Sequence, residues 1–169
     1  SMRKIPFVCL ALMVCGMASG QPDPTVTAPN PVNYLPENFD YNTLVPITFA
    51  EARTLFADND GWNTHKNKIF VTIATYRGQH TETVFNMFEC ACFSDFGVDG
   101  WAANGSIASE ALRTFFGNIQ PGQTVSLCFG VVGPIVNATA GPAENWIDGK
   151  ELPITIMAIA VCNPPPINP

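Results

Sequence analysis

The sequence predicts an α+β fold in which two helices pack on one face of an antiparallel sheet of four to five strands. Three features indicate this fold. Two segments have helical periodicity, two strand-like runs follow each of them, and the chain of 169 residues has the length of one domain. Between these elements, the 15 prolines and 13 glycines predict long connections.

Capping signals mark the two predicted helices. Thr48 and Glu51 form a capping box, and the turn-forming residues 58–61 are expected to end the first helix. The second helix is predicted to begin at Ser106 and to end at Gly117, in the left-handed conformation that glycine favours. Each helix has an apolar face, formed by Phe49, Ala52, Leu55 and Phe56 in the first and by Ile107, Ala108, Ala111, Leu112, Phe115 and Phe116 in the second.

Four apolar runs are predicted to form the strands: residues 69–76, 84–93, 124–132 and 154–162. The second and fourth runs are apolar on both faces, which favours central positions in the sheet. Because residues 51–56 are similar to residues 110–116, the sequence suggests a duplicated αββ unit. With one strand before the first helix, the order β-α-β-β-α-β resembles a ferredoxin-like topology with an added strand.

Composition divides the chain into four parts. Residues 1–20 have a basic start, an uncharged apolar run and small residues before Gln21, which is typical of a secretory signal peptide. If they are retained, they are expected to form a central β-strand, because the run is shorter than the roughly 20 residues of a membrane span. Residues 21–47 are predicted to be a Pro-rich arm or loop, residues 48–163 the single α+β domain, and residues 164–169 a Pro-rich tail.

The charge of the chain disfavours two classes of partner. With 14 acidic and 8 basic residues, the net charge is −6, and this leaves too few cations for the basic patch that nucleic acids require. The same balance disfavours an anionic membrane surface. The sequence also lacks a phosphate-binding loop, a dinucleotide motif and a spaced set of metal ligands, so we expect no cofactor and no metal.

Catalysis has only weak candidates in this sequence. His80 lies in a predicted turn between two strands and has the chemistry of a general base, with Thr81 or Ser94 as the nucleophile and Asp95 as the orienting residue. No nucleophile-elbow motif accompanies these residues. The sequence therefore favours a protein that is not an enzyme, with a small hydrolase that uses His80 as an alternative.

Three other residue types supply candidate sites. In a secreted protein the disulfide candidates, with buried thiols as the alternative, are Cys90, Cys92, Cys128 and Cys162. Two N-glycosylation sequons fall in predicted loops, at Asn104 and Asn137. Tryptophans in turn-like segments either bind a protein or a carbohydrate or close the end of a small core, and here they are Trp62, Trp101 and Trp146.

These observations favour a non-catalytic structural, assembly or surface-binding domain, secreted or exposed outside the cell. A viral capsid or virion surface-protrusion domain is an alternative with the same composition. The expected partner is a protein or a second copy of the chain, with carbohydrate as a further option. A cytosolic ligand-binding module is a third hypothesis, which requires a pocket on the free face of the sheet.

Overall fold

The computed structural model describes residues 33–81 and 88–162. The predicted leader or N-terminal strand, residues 21–32 of the Pro-rich arm and the Pro-rich tail lie outside these residues. The first part of the predicted strand 84–93 does so as well.

Seven strands and three helices make up the described part of the chain. The strands are β1 (Val45–Pro46), β2 (Phe70–Thr81), β3 (Glu89–Asp95), β4 (Ala103–Ser106), β5 (Thr124–Val131), β6 (Val136–Asn137) and β7 (Lys150–Val161). The helices are α1 (Phe49–Leu55), α2 (Asn59–His65) and α3 (Glu110–Gly117). Two short 3-10 turns, Ala143–Asn145 and Ile147–Gly149, precede β7.

The first two helices begin at side chains that accept hydrogen bonds from backbone amides of the first turn. The Thr48 hydroxyl accepts from the amide of Glu51, which is the cap that the sequence predicts for α1. Asp58 caps α2 by accepting from the amide of Gly61. The segment expected only to end the first helix therefore begins a second one, because Asp at this position satisfies an otherwise unpaired helical amide.

The third helix is shorter than predicted at its N-terminal end. Its cap is Ser109, whose hydroxyl accepts from the amide of Leu112, while the predicted first residue, Ser106, belongs to β4. Gly117 is the last helical residue and does not have the left-handed conformation predicted for it. Residues 107 and 108 therefore connect β4 to the helix. Apolar periodicity alone does not distinguish such a connection from the first turn of a helix.

Five strands close into a ring in the order β2-β3-β4-β7-β5, with β5 returning to β2. The pair between β4 and β7 is parallel and the other four ring pairs are antiparallel. Closure depends on β2 and β7, which have 12 residues each and pair with different neighbours along different parts of their length. Outside the ring, β1 lies parallel to β2, and β6 lies antiparallel to β7.

An aromatic-rich core fills the interior of the ring. Every ring strand contributes residues to it, among them Phe70, Phe93 and Phe129. Phe49 of α1 packs between opposite strands, with ring centroids 5.3 Å from Phe129 and 6.4 Å from Phe93. The apolar face of α3 joins the same core. Both helices therefore pack against the interior of a closed sheet.

The predicted fold class is wrong, since the sheet has seven strands rather than four or five, is mixed rather than antiparallel, and is accompanied by three helices. Strands β1, β4 and β6 have two to four residues each, too few for a hydrophobic alternation to reveal them. Two of these short strands supply the parallel pairs. Moreover, β2 and β5, which were expected at the sheet edges, pair with each other and complete the ring.

The closed sheet has one incompletely paired seam. It lies between β4 and β7, whose pairing is limited to residues 103–105 of β4.

Candidate functional site

His80 lies beside an aromatic side chain and far from its predicted nucleophile on β3. Its ring centroid is 4.9 Å from that of Trp101, and its register partner on β3 is Cys90. Ser94 is four residues beyond Cys90, or roughly 13 Å along the strand. Thr81 follows His80 in the same strand and so points to the other face of the sheet. The structure does not bring the predicted base and nucleophiles together.

Ser94 and Asp95 are occupied by contacts within the scaffold. The buried Ser94 hydroxyl accepts a hydrogen bond from Arg77 Nε at 2.8 Å. The two carboxylate oxygens of Asp95 accept from the amides of Phe49, at 2.7 Å, and Ala50, at 2.9 Å. These amides begin α1, where the helix dipole favours an anion. The geometry therefore gives both residues structural roles and does not support a hydrolase site at His80.

The outer face of β3 and β4 is covered by residues 138–149, which we call the covering segment. Trp146 and Ala140 of this segment form a buried cluster with Cys92 of β3, and Trp101 packs against the cluster. The covering segment of the same chain therefore occupies this face of the sheet.

A buried carboxylate anchors the covering segment to the sheet. Glu151 is 4% exposed and accepts hydrogen bonds from Thr139 Oγ1 at 3.0 Å and from Asn104 Nδ2 at 3.1 Å. Asn104 is 9% exposed, and its Oδ1 has no hydrogen-bond partner among the described residues. Burial of polar groups is costly unless they are hydrogen-bonded. The hydrogen bonds from Thr139 to Glu151 therefore stabilise the contact between the covering segment and the sheet.

Arg53 of α1 holds the same segment from the other side. Its guanidinium donates to the carbonyl oxygens of Ala102, Ile147 and Lys150 at 2.8 to 2.9 Å. Burial lowers the pKa of Arg53 from its usual value, while the negative charges of Asp148 and Asp95 act in the opposite direction. One side chain thus joins the first helix, the end of the β3–β4 connection and the start of β7.

The four candidate cysteines are all buried. Cys92 is a free thiol beneath the covering segment, and burial raises its pKa, with further contributions from Cys90 and Glu151. Cys90 and Cys128 also carry thiols. Cys162 takes part in a disulfide, and its Sγ is 3.4 Å from Ser126 Oγ.

The two sequons lie in different environments. The amide nitrogen of Asn104, to which a glycan would be attached, is buried and donates to Glu151. This geometry argues against Asn104 as an acceptor in the folded protein. Asn137 lies in the exposed strand β6 and stays a predicted glycosylation site.

The three tryptophans contribute mainly to packing. Trp146 is buried, donates from Nε1 to the carbonyl of Ala140 at 2.7 Å and contacts Trp101 edge-to-face. Trp62 of α2 is half-buried, and Lys66 Nζ lies 4.9 Å from the centroid of its ring. Its Nε1 is buried without a hydrogen-bond partner among the described residues.

An open groove of about 480 Å³ runs along β7, and we call it the β7 groove. Its apolar lining consists of Tyr34, Pro36, Phe39, Ala108, Leu112, Ile156 and Met157. Its polar lining consists of Asn38, Ser106, Ser109 and Thr155. No carboxylate, imidazole, thiol or basic side chain is among the residues that line it. Such a lining suits the binding of an apolar ligand better than catalysis.

The groove lies along a stretch of β7 between two pairing partners, where one edge of the strand has no described neighbour. Pairing with β4 ends at Ile154, opposite Gly105. Further along, the main chain of Tyr34 exchanges two hydrogen bonds with that of Ile159. Between these points no described strand pairs with this edge of β7, and the groove lies there. Sequence analysis missed these residues, since Thr155 is the only polar residue to interrupt the apolar run and a single exposed threonine does not indicate an edge.

The β7 groove continues into a second hollow of about 480 Å³, with which it shares Ser106 and Ala108. Phe88, which is 57% exposed, and Arg113 line the far end of this hollow. Near the β7 groove itself, the exposed carboxylates of Glu37 and Glu110 are chain neighbours of lining residues. The β7 groove is largely apolar with two carboxylates beside it in the chain, whereas the second hollow is lined by Glu89 and Arg113 as well as by apolar residues.

A smaller hollow of about 320 Å³ lies on β2 between the ends of β1 and β3. Glu51 and Asp95 line it together with apolar residues such as Ile47, Val71 and Phe96. Asp95 already binds two helix amides there, so the hollow contains only one carboxylate outside such a contact. It is smaller than the β7 groove and does not extend along a strand edge.

No group of three His, Cys, Asp or Glu side chains in the described ranges is placed to hold a metal ion. Among these residues, no helix has the length and apolarity needed to cross a membrane. In comparisons with known proteins, no family model, no curated protein and no solved structure matches the chain.

Proposed function

We propose that this chain is a non-catalytic binding domain that holds an apolar segment of a protein partner in the β7 groove. The observation that carries the proposal is the groove itself, an opening in a closed sheet whose lining is apolar with a few hydroxyl and amide groups. Concave apolar sites with a small number of polar groups are typical of binding sites. The proposal applies equally to a domain displayed outside a cell and to one displayed on a virion.

The roles of the candidate catalytic residues support this choice over a hydrolase. Asp95 accepts two helix amides, Ser94 accepts from Arg77, and His80 stacks on Trp101. A general base must come within hydrogen-bond reach of its nucleophile, and the strand register separates His80 from Ser94.

The negative charge of the chain favours a partner segment that carries basic residues. The chain has a net charge of −6, and Glu37 and Glu110 adjoin the lining of the groove. A segment with apolar residues at its centre and lysine or arginine at its ends is complementary to this surface. Electrostatic attraction of this kind mainly raises the association rate and is weakened by salt.

The test is a selection of short random peptides on the immobilised full-length chain, followed by affinity measurement on two variants. Met157→Glu places a charge in the groove, and we expect it to weaken the selected peptides at least about tenfold, because an unpaired carboxylate is costly to desolvate. Val98→Glu introduces the same charge at an exposed apolar position outside the groove and is expected to leave affinity unchanged. Equal binding to both variants would overturn the proposal.

A further inference from the structure

We propose that the partner segment binds as an extended strand that pairs with the main chain of β7 at Ile156. It would occupy the opening between β4 and Tyr34 and add one strand to the sheet at that point. This inference rests on the proposed function and deepens it, since it specifies the conformation of the ligand and the atoms that recognise it.

The hydrogen-bond pattern of β7 points the main chain of Ile156 into the opening. Leu152 donates its amide toward β4, to the carbonyl of Ala102, whereas the carbonyl of Pro153 accepts from Val132 on the opposite side. Successive residues of a strand alternate in this respect, so Ile154 and Ile156 also direct their amides and carbonyls toward β4 and the opening. The pairing with β4 ends at Ile154, one such step before Ile156.

The opening has the dimensions of a short strand. From Ile154, the last partner of β4, to Ile159, the partner of Tyr34, β7 advances five residues, or at most roughly 16 Å, because its register with β5 shifts between Ile156 and Ala158. Strands in proteins commonly have three to ten residues. Alternate side chains of an added strand would face the groove lining, where Leu112 and Phe39 provide apolar surface. Recognition by strand addition therefore predicts a ligand with apolar residues at every second position.

The Pro-rich segments of the chain itself are poor occupants of this edge. Residues 21–32 and 163–169 contain four prolines each, and proline lacks the amide that a strand must donate. Residues 1–20 contain one proline, so their pairing with this edge is an outcome that the experiment below distinguishes. A separate polypeptide with few prolines and basic ends satisfies both the hydrogen bonding of Ile156 and the acidic residues beside the groove. An unpaired strand edge is a general template for such pairing.

The experiment uses the full-length chain and a designed probe, the peptide Lys-Lys-Val-Thr-Val-Thr-Val-Lys-Lys. We expect it to slow hydrogen exchange of the Ile156 amide at least about tenfold, as measured by nuclear magnetic resonance. N-methylation of the central valine removes a donor and is expected to weaken binding about tenfold, whereas N-methylation of the first lysine is the matched control.

The possible results separate this inference from the proposed function. If the N-methylated peptides bind as well as the parent, while Met157→Glu abolishes binding of all of them, strand pairing is overturned and the proposed function stands. Failure of the parent peptide to bind at millimolar concentration also overturns strand pairing. Strong protection of the Ile156 amide from hydrogen exchange before peptide is added overturns strand pairing as well. In that case residues 5–15 or a second copy of the chain would fill the opening, and light scattering distinguishes these two occupants.

Discussion

The covered face and the β7 groove both border β4, but they are built from different chemistry. Beneath the covering segment, Glu151 and Asn104 bring a carboxylate and an amide to the outer face of the sheet, and Thr139 of the same chain bonds to the carboxylate. In the groove the surface is mostly apolar, and its strand edge has no described partner. Polar groups are buried on the covered face because a partner in the same chain bonds to them, whereas the groove exposes a mostly apolar surface that needs no such bond.

The contact that holds the covering segment most firmly is that of Arg53, and its loss is expected to have the largest effect. In Arg53→Met, three carbonyl oxygens lose their donor, so we expect the free energy of unfolding to fall by about 3–5 kcal/mol. Urea denaturation measures this change. Arg113→Met, at an exposed position, is the control and is expected to stay within about 0.5 kcal/mol of the parent.

A pair of tryptophan substitutions tests whether hydrogen bonding, in addition to aromatic packing, holds the covering segment against the sheet. Trp146→Phe removes the hydrogen bond to Ala140 and leaves that carbonyl unpaired, so we expect a loss of about 1–2 kcal/mol. Trp62→Phe removes a buried N–H that has no described partner, and it is expected to change stability by less than about 0.5 kcal/mol. Equal losses in the two variants would show that hydrogen bonding is not what distinguishes the covered face.

The thiol of Cys92 reports on opening of the cover and on its pH dependence. Burial raises its pKa, so the folded state favours the protonated thiol; this stabilisation is complete below roughly pH 8 and is lost as the pH rises above the unfolded pKa of 9.0. We expect alkylation of Cys92 at pH 8, followed by peptide mass spectrometry, to be at least about tenfold faster in Trp146→Ala than in the parent. Equal rates would mean that the cover does not protect the thiol.

The groove should tolerate substitution best, and this is the smallest effect expected. Met157→Glu is expected to lower the free energy of unfolding by less than about 1 kcal/mol, since Met157 is only half-buried, where it borders the groove and packs on the edge of a second buried cluster. Ile156→Glu, one residue earlier and facing the core, is expected to cost more than about 3 kcal/mol. Similar losses in thermal or urea unfolding would show that the groove is part of the folding core and not a spare binding surface.

Sequence reasoning identified local features of the fold more reliably than their arrangement. The cap at Thr48 and the apolar face of α1 follow from side chains a few residues apart, and the structure confirms them. Of the face predicted for the third helix, Leu112, Phe115 and Phe116 are buried within α3, whereas Ala108 and Ala111 are exposed. The strand β4 has four residues and gives no periodic signal, yet it determines both the parallel pair and the edge of the β7 groove. Without it, the apolar runs predict an antiparallel sheet of four to five strands, which is wrong.

The candidate site shows the same division. His80, Ser94 and Asp95 were recognisable as reactive side chain types, but only the register of β2 and β3 separates His80 from Ser94. Glu151 and Arg53 were not singled out, because a carboxylate or guanidinium in an amphipathic segment usually indicates solvent exposure. Their burial depends on partners about 50 to 100 residues away in the chain.

By itself, the sequence determined which apolar residues are available for the core, the N-terminal cap of α1 and the acidic net charge. These properties depend on side chains or on neighbours within a few residues. Only the tertiary structure decided that the sheet closes, that residues 138–149 cover one face and that β7 leaves an edge open. Each of these depends on which strands meet, and long-range pairing follows from the packing of the whole chain rather than from any local pattern.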